Sequence, residues 1–181
     1  MAKKFGNPTG QLTLFHNPYQ QAFWAALAAR NPDGTRQFYR LALFAGRQAG
    51  KTIAGAIALA REAGQPLRQA NDPKPPVYWA CAPSYEELRD YVIPAMRLAI
   101  PEVWVDDWHE TSHTLTLTNG AIIQFRSLDD PERGRGPGLH GVWLDEARKI
   151  QYRAWASLRP ALNVPRGFAI FTTSPACPLH W

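Results

Sequence analysis

Eight consecutive residues, Ala45-Gly46-Arg47-Gln48-Ala49-Gly50-Lys51-Thr52, bring small side chains, two cations and a hydroxyl together. Small residues let backbone N–H groups wrap phosphate oxygens, a lysine reaches the β- and γ-phosphates of a nucleotide, and a threonine hydroxyl binds Mg²⁺. Lys51 and Thr52 fill the last two roles, while Gly46, Arg47, Gln48, Ala49 and Gly50 provide the wrapping backbone. The stretch departs from the standard phosphate-loop pattern, because Ala45 stands where a glycine is usual and the glycine comes one place later, at Gly46. Arg47 is a second cation beside the triphosphate, placed to sense it or to stabilise transition-state charge. The alternative is a glycine-rich turn capping an unrelated helix, with Arg47 an ordinary surface arginine.

A second group lies some ninety residues on. Val142-Trp143-Leu144-Asp145-Glu146 is an apolar run ending in two acids. At the end of a strand beside a phosphate loop, Asp145 is placed to hold Mg²⁺ and Glu146 to polarise an attacking water as general base. An exposed helix start with Asp145 as its cap is the competing reading. A third run, residues 168–171, ends in Thr172-Thr173-Ser174-Pro175. Thr172 and Thr173 there could bond the nucleotide or the catalytic glutamate and report hydrolysis; a hydroxyl-rich turn without function is the other option.

These groups must be positioned by strands and helices, and the pattern supplies them. Residues 38–45 form a compact apolar run entering the loop, which predicts a buried strand, and residues 51–63 a helix. Phe23, Trp24, Leu27 and Ala28 recur at helical spacing within residues 19–30, behind Pro18 at a tolerated first-turn position. Residues 77–82 read as a strand, and Ser84 as the N-cap of a helix with Glu86 and Glu87 in its first turn. Asn119-Gly120 between residues 114–117 and 121–125 is a hairpin signal. Residues 141–144 and 167–173 complete the strands, with a helix over 155–162 between them. Strands separated by helices predict an α/β fold with a mainly parallel central sheet, helices on both faces, an added β-hairpin, and ligands at the carboxyl ends of the strands.

The chain's 181 residues, 45% of them hydrophobic, suffice for one core and not two. Residues 1–15, with Gly6, Pro8 and Gly10, read as a loosely ordered arm joining the domain near residues 12–15. A formal net charge of +5 fits a polyanionic partner without requiring one. Cys81 and Cys177 are far apart and lack metal-ligand spacing. No apolar run reaches the ~20 residues of a bilayer span, so a soluble, cytoplasmic protein is expected.

Taken together the motifs resemble those of the ATPase of phage terminase large subunits, the motors that drive DNA into procapsids. The likeness rests on Asn17-Pro18-Tyr19-Gln20, similar to that family's adenine-reading segment; on the arginine-containing loop at 45–52; on Asp130-Pro131-Glu132-Arg133-Gly134-Arg135-Gly136-Pro137 leading into Leu144-Asp145-Glu146-Ala147; and on Thr172-Thr173-Ser174-Pro175, similar to its coupling motif. The segment 77–85 also fits, so the resemblance runs from Asn17 to the end.

It implies a P-loop NTPase of the ASCE/RecA-like type spanning residues 16–181, with ATP and Mg²⁺ as cofactors, Gln20 near the adenine, Lys51 and Thr52 on phosphate and metal, Asp145 on Mg²⁺, and Glu146 as base. It further implies that Arg135, or its neighbour Arg133, is an arginine finger offered to the next subunit. Implied partners are double-stranded DNA, portal protein and the terminase small subunit, in a homo-oligomeric ring formed in the cytoplasm of an infected host; an isolated fragment would be monomeric. Members of the family continue into a lid and a nuclease domain, so a truncated motor core without nuclease activity is expected. A helicase or repair ATPase with the same core, and a non-catalytic assembly module using Trp143, Trp155 or Trp181 as anchors, are the competing functions.

Overall fold

The computed structural model describes residues 5–10, 17–65, 74–130 and 138–175. Seven strands form one sheet: β1 (Arg40–Phe44), β2 (Val77–Ala82), β3 (Val105–His109), β4 (Thr114–Leu117), β5 (Ile122–Ser127), β6 (Gly141–Asp145) and β7 (Phe168–Thr173). Their spatial order is β1-β7-β6-β2-β5-β4-β3. The first five in that order are mutually parallel, and β4 pairs antiparallel with both β5 and β3. The fold is thus the expected α/β, RecA-like P-loop architecture. The hairpin at Asn119-Gly120 forms with Gly120 at φ 85°, but it is no appendage, since β5 is also a parallel partner of β2.

The helices are α1 (Pro18–Ala28), α2 (Lys51–Ala63), α3 (Tyr85–Glu87), α4 (Ile93–Ala99) and α5 (Tyr152–Leu158). Alternation along the strands divides the interior into two cores. Trp143, Phe168 and Ile170 pack on one side with α1, α2 and α4; Val142, Leu144 and Ala169 pack on the other with Ala154 and Leu158 of α5. Cys81 is fully buried in the second core, and desolvation pushes its thiol far above the ordinary range, so it is an inert packing residue. Cys177 lies outside the described residues.

Several boundaries differ from expectation for identifiable reasons. The first helix stops at Ala28, because Arg30 leaves it to bridge Arg36 across the turn at Gly34, while Asn17 caps its start by accepting the Tyr19 N–H at 3.0 Å. Ser84 caps α3 as expected, at 3.2 Å from the Glu87 N–H. A π-turn, Leu88–Val92, follows directly and lies just before Pro94, whose missing N–H interrupts the helical ladder. The helix expected over 155–162 begins earlier, at Tyr152, and tightens to a 3₁₀ turn, Arg159–Leu162, where Pro160 enters. Strand β3 had no counterpart in the sequence pattern, since Asp106 and Asp107 mask its apolar alternation; an edge strand tolerates such charges and is protected by them.

Residues 5–10 of the expected arm pack against the domain. Phe5 is 1% exposed, with its ring 4.6 Å from Trp108 and 5.9 Å from Phe125, and Asn7 exchanges backbone hydrogen bonds with Ile100 and Glu102. One aromatic residue among glycines is enough to anchor the segment once a partner slot exists. Residues 12–15, the expected joint, lie outside the described residues. No helix among the described residues is long and apolar enough to cross a membrane.

Candidate nucleotide and metal site

The carboxyl ends of β1, β7 and β6 lie side by side, and each of the three chemical segments leaves from one of them. After β1 the chain turns through residues 45–50. Gly50 sits at φ 73°, a left-handed conformation that a side chain would strain. From there α2 starts, so that its first N–H groups and the positive end of its dipole face the turn.

Lys51 is 6% exposed, and its Nζ donates to Gly46 O at 2.8 Å, so the ammonium lies back across the loop it belongs to. Gln20 comes from α1 and is buried; its Nε2 donates to Gly50 O at 3.1 Å. Trp24, one turn on, donates from Nε1 to Ala54 O at 3.0 Å. Through these two bonds α1 fastens both the loop and the first turn of α2. Arg47 and Gln48 are exposed at the tip, Gln48 at φ 61°, and Arg47 forms no ion pair with any described residue.

The contact that joins the two halves of the site is between residues far apart in the chain. Thr52 Oγ1 donates to Asp145 Oδ2 at 2.9 Å. The other carboxylate oxygen accepts from Thr172 Oγ1 at 2.6 Å, and that hydroxyl in turn accepts from Trp143 Nε1 at 2.7 Å. Asp145 is 4% exposed. Burial raises its pKa above the ordinary 3.8, the hydrogen bonds from Thr172 and Thr52 oppose that shift, and the neighbouring charge of Glu146 adds to it.

A desolvated carboxylate facing a threonine hydroxyl, with no cation paired to it among the described residues, fits a hard divalent ion. Mg²⁺ takes oxygen donors and commonly only one or two from protein, the rest being water and phosphate. Thr52 and Asp145 supply such a pair, and no larger cluster of His, Cys, Asp or Glu suited to a metal occurs among the described residues.

Glu146 is the first residue past β6, in the left-handed region at φ 45° and ψ 44°. That turn swings its carboxylate out of the strand line. Arg148 Nε lies 3.6 Å from Oε2, beyond hydrogen-bond range, and Ser174 Oγ is 3.5 Å from Oε1, at its limit. Oε2 is buried without a hydrogen bond, so one acceptor of this carboxylate is held in place and left unsatisfied.

Thr172 and Thr173, expected to bond the nucleotide or the catalytic glutamate, both have protein partners in this structure. Thr172 is fully buried with its hydroxyl committed to Trp143 and Asp145, one layer behind the site; Thr173 Oγ1 accepts from the Arg148 N–H at 3.3 Å. Ser174 is the hydroxyl that approaches Glu146. Trp143, considered above as an interface anchor, is fully buried and positions Thr172, while Trp155 stacks edge-on against Phe171 at 5.0 Å. Gly55 is a further site residue that motif reading does not reach: a Cβ there would lie 2.2 Å from Trp143 Nε1, so the glycine lets α2 approach β6 closely enough for Thr52 to meet Asp145. Arg133, Arg135 and Trp181 lie outside the described residues.

Comparison with solved structures gives the same architecture. The large terminase of a thermophilic bacteriophage matches with a TM-score of 0.72 at 16% identity over 90% of this chain and 40% of that one. The large terminase ATPase domain of Thermus phage P74-26 matches at 0.61 and 23%, over 90% and 66%. The HK97 bacteriophage large terminase matches at 0.65 and 20%, over 95% and 35%. The chain therefore spans less than two thirds of the length of each. Structures of the first of these three relatives include complexes with ADP and with ATP-γ-S. No curated protein sequence matches. The family model for the terminase large subunit, T4likevirus-type, N-terminal region matches residues 42–181. Sheet order, the meeting of Thr52 with Asp145, and that match agree, and the chain belongs to the terminase large subunit N-terminal family.

Proposed function

We propose that the chain binds Mg²⁺-ATP and hydrolyses its γ-phosphate, as the motor portion of a large terminase that translocates double-stranded DNA into procapsids. The observation that carries this reading is the 2.9 Å bond between Thr52 and Asp145, which joins the phosphate loop to the acidic strand at one point. Bound between these two side chains and the phosphates, Mg²⁺ would neutralise charge developing on the transferred group.

The chain's own residues divide the remaining work. Backbone N–H groups of residues 46–52 wrap the phosphates, and Lys51 exchanges its bond to Gly46 O for phosphate oxygens. Arg47, exposed at the loop tip, swings onto the triphosphate. Gln20 supports the loop from behind and reads the adenine. Glu146, with its unsatisfied Oε2, accepts a hydrogen bond from water and orients it for in-line attack. Ser174 and Arg148 restrain that carboxylate, so a change at the γ-phosphate reaches β7 through Ser174. Arg135 acts as the trans finger in a ring assembled on the portal with the small subunit; without a neighbour's finger, worth on the order of 10³-fold or more, the separate chain turns over slowly.

A helicase would share this core, but the family match and the structural relatives are terminases. The test is Glu146→Gln. It should bind ATP as the parent does and lose on the order of 10²-fold or more in hydrolysis. Hydrolysis at the parental rate removes Glu146 as base, and loss of neither binding nor hydrolysis in Lys51→Ala removes the ATPase reading itself.

A further inference from the structure

The charge of this molecule is unevenly distributed. Residues 147–175 contain Arg148, Lys149, Arg153, Arg159 and Arg166 and no Asp or Glu; these five account for the entire formal net charge of +5 and leave fifteen residues of each sign elsewhere. In the fold this segment is the 3₁₀ turn after Glu146, then α5 and the 3₁₀ turn behind it, which cover the face of the sheet opposite α2, then a loop with Arg166 that leads into β7.

The five cations are not equivalent. Arg148 and Lys149, nearest the nucleotide edge, are paired, Arg148 with Glu146 at 3.6 Å and Lys149 with Glu87 at 2.5 Å. Arg153, Arg159 and Arg166 are exposed and pair with no described carboxylate. Arg40 joins them from the start of β1. Its guanidinium lies 5.7 Å over the Trp155 ring and donates to Gly167 O at 3.1 Å, while burial and the like charge of Arg159 hold its pKa below the ordinary value. Arg166 also occupies a left-handed backbone position, φ 50°, where Gly or Asn would be less strained.

Like charges gathered without acids repel one another, and the arrangement becomes favourable once an anion neutralises them. The surface runs along α5 from the turn after Glu146 to the opposite end of β7. Seven α-helical and four 3₁₀ residues extend for about 18 Å, enough to follow about five phosphates of one strand at ~3.4 Å spacing. Arginines present planar donor forks suited to phosphate.

We propose that the face built on this acid-free segment, through Arg40, Arg153, Arg159 and Arg166, contacts the phosphate backbone of double-stranded DNA. The proposal rests on the motor reading above and adds to it a location. Only residues 147–151 separate Glu146 from α5, so this face adjoins the segment that carries the base.

The experiment is binding of a labelled random-sequence duplex, followed by fluorescence anisotropy over a series of salt concentrations. The parent is compared with Arg153→Gln/Arg159→Gln/Arg166→Gln and with a charge-matched control, Arg68→Gln/Lys74→Gln/Arg89→Gln; Arg40 is left intact because it packs on Trp155. The face variant should bind about tenfold or more weakly, and its log–log salt slope should shrink by about three, each phosphate no longer neutralised accounting for about 0.9. The control should stay near the parent, and both variants should retain the parental ATP affinity and unfolding temperature, which shows that they fold. Unchanged DNA binding in the face variant, an equal loss in the control, or a parent that binds polyglutamate and not the duplex would each overturn the proposal. A parent that binds no ATP would instead defeat the motor reading, whatever the duplex does.

Discussion

Gly55→Ala sets two large effects against each other. Gly55 lies inside α2, where alanine is the better helix former by about 1 kcal/mol. If local propensity decided the outcome, the variant would be more stable. The added methyl, however, would stand 2.2 Å from Nε1, 2.5 Å from Cε2 and 2.9 Å from Cδ1 of Trp143. That indole is fully buried and bonded to Thr172 Oγ1 at 2.7 Å, so it has no empty volume to enter and cannot turn without breaking the bond. Overpacking of this kind costs roughly 1–3 kcal/mol, and a buried indole N–H left unpaired roughly another 1–3. The net expectation is destabilisation by roughly 1–5 kcal/mol, at least a few degrees in Tm at this chain length. The displaced α2 also draws Thr52 away from Asp145, so Mg²⁺-dependent nucleotide affinity should fall with stability. Thermal unfolding and nucleotide titration measure the two. In a double-mutant cycle with Trp143→Phe, which removes the clashing ring atoms, the two losses should sum to more than the double variant shows. A Gly55→Ala variant that gains about 1 kcal/mol refutes the close-approach argument.

Two further outcomes follow from the site. Asp145 has its folded pKa raised above 3.8 by burial, so its contribution to stability is present below that value and is lost as pH rises through the elevated one; without divalent cation the protein should lose stability across that window, and Asp145→Asn should abolish the decline in thermal unfolding. An unchanged slope in the variant would contradict the assignment. Gln20→Ala removes the bond to Gly50 O and should cost about 1 kcal/mol; titrations should show ATP and GTP both binding more weakly and the preference for ATP lost, whereas an intact preference excludes Gln20 from adenine recognition.

Much of this was legible in the residues because local chemistry and global fold agree. The limits of α2, β2 and β4 come out as read, since each is a strongly patterned segment bounded by loop residues. Lys51, Thr52 and Asp145 could be singled out by type and by the strand or helix that carries them. What sequence did not carry was the set of contacts between distant segments. Nothing near Thr172 says that its hydroxyl is consumed by Trp143 and Asp145, because that depends on β7 lying between β1 and β6. Gly55 looks like a mild helix defect until Trp143 is opposite it. Phe5 and β3 escaped for a related reason: each has weak local pattern and is held by an aromatic cluster assembled from Trp108 and Phe125.

In the proposed motor, Thr52 and Asp145 together hold the cation that accompanies the nucleotide. Mn²⁺ in place of Mg²⁺ tests it directly, by electron paramagnetic resonance titration in the presence of a non-hydrolysable ATP analogue. The parent should bind Mn²⁺ with the analogue, while Thr52→Val and Asp145→Asn should each lose about tenfold or more in cation affinity, as expected when one metal ligand is removed. Mn²⁺ binding in both folded variants that matches the parent would contradict the account.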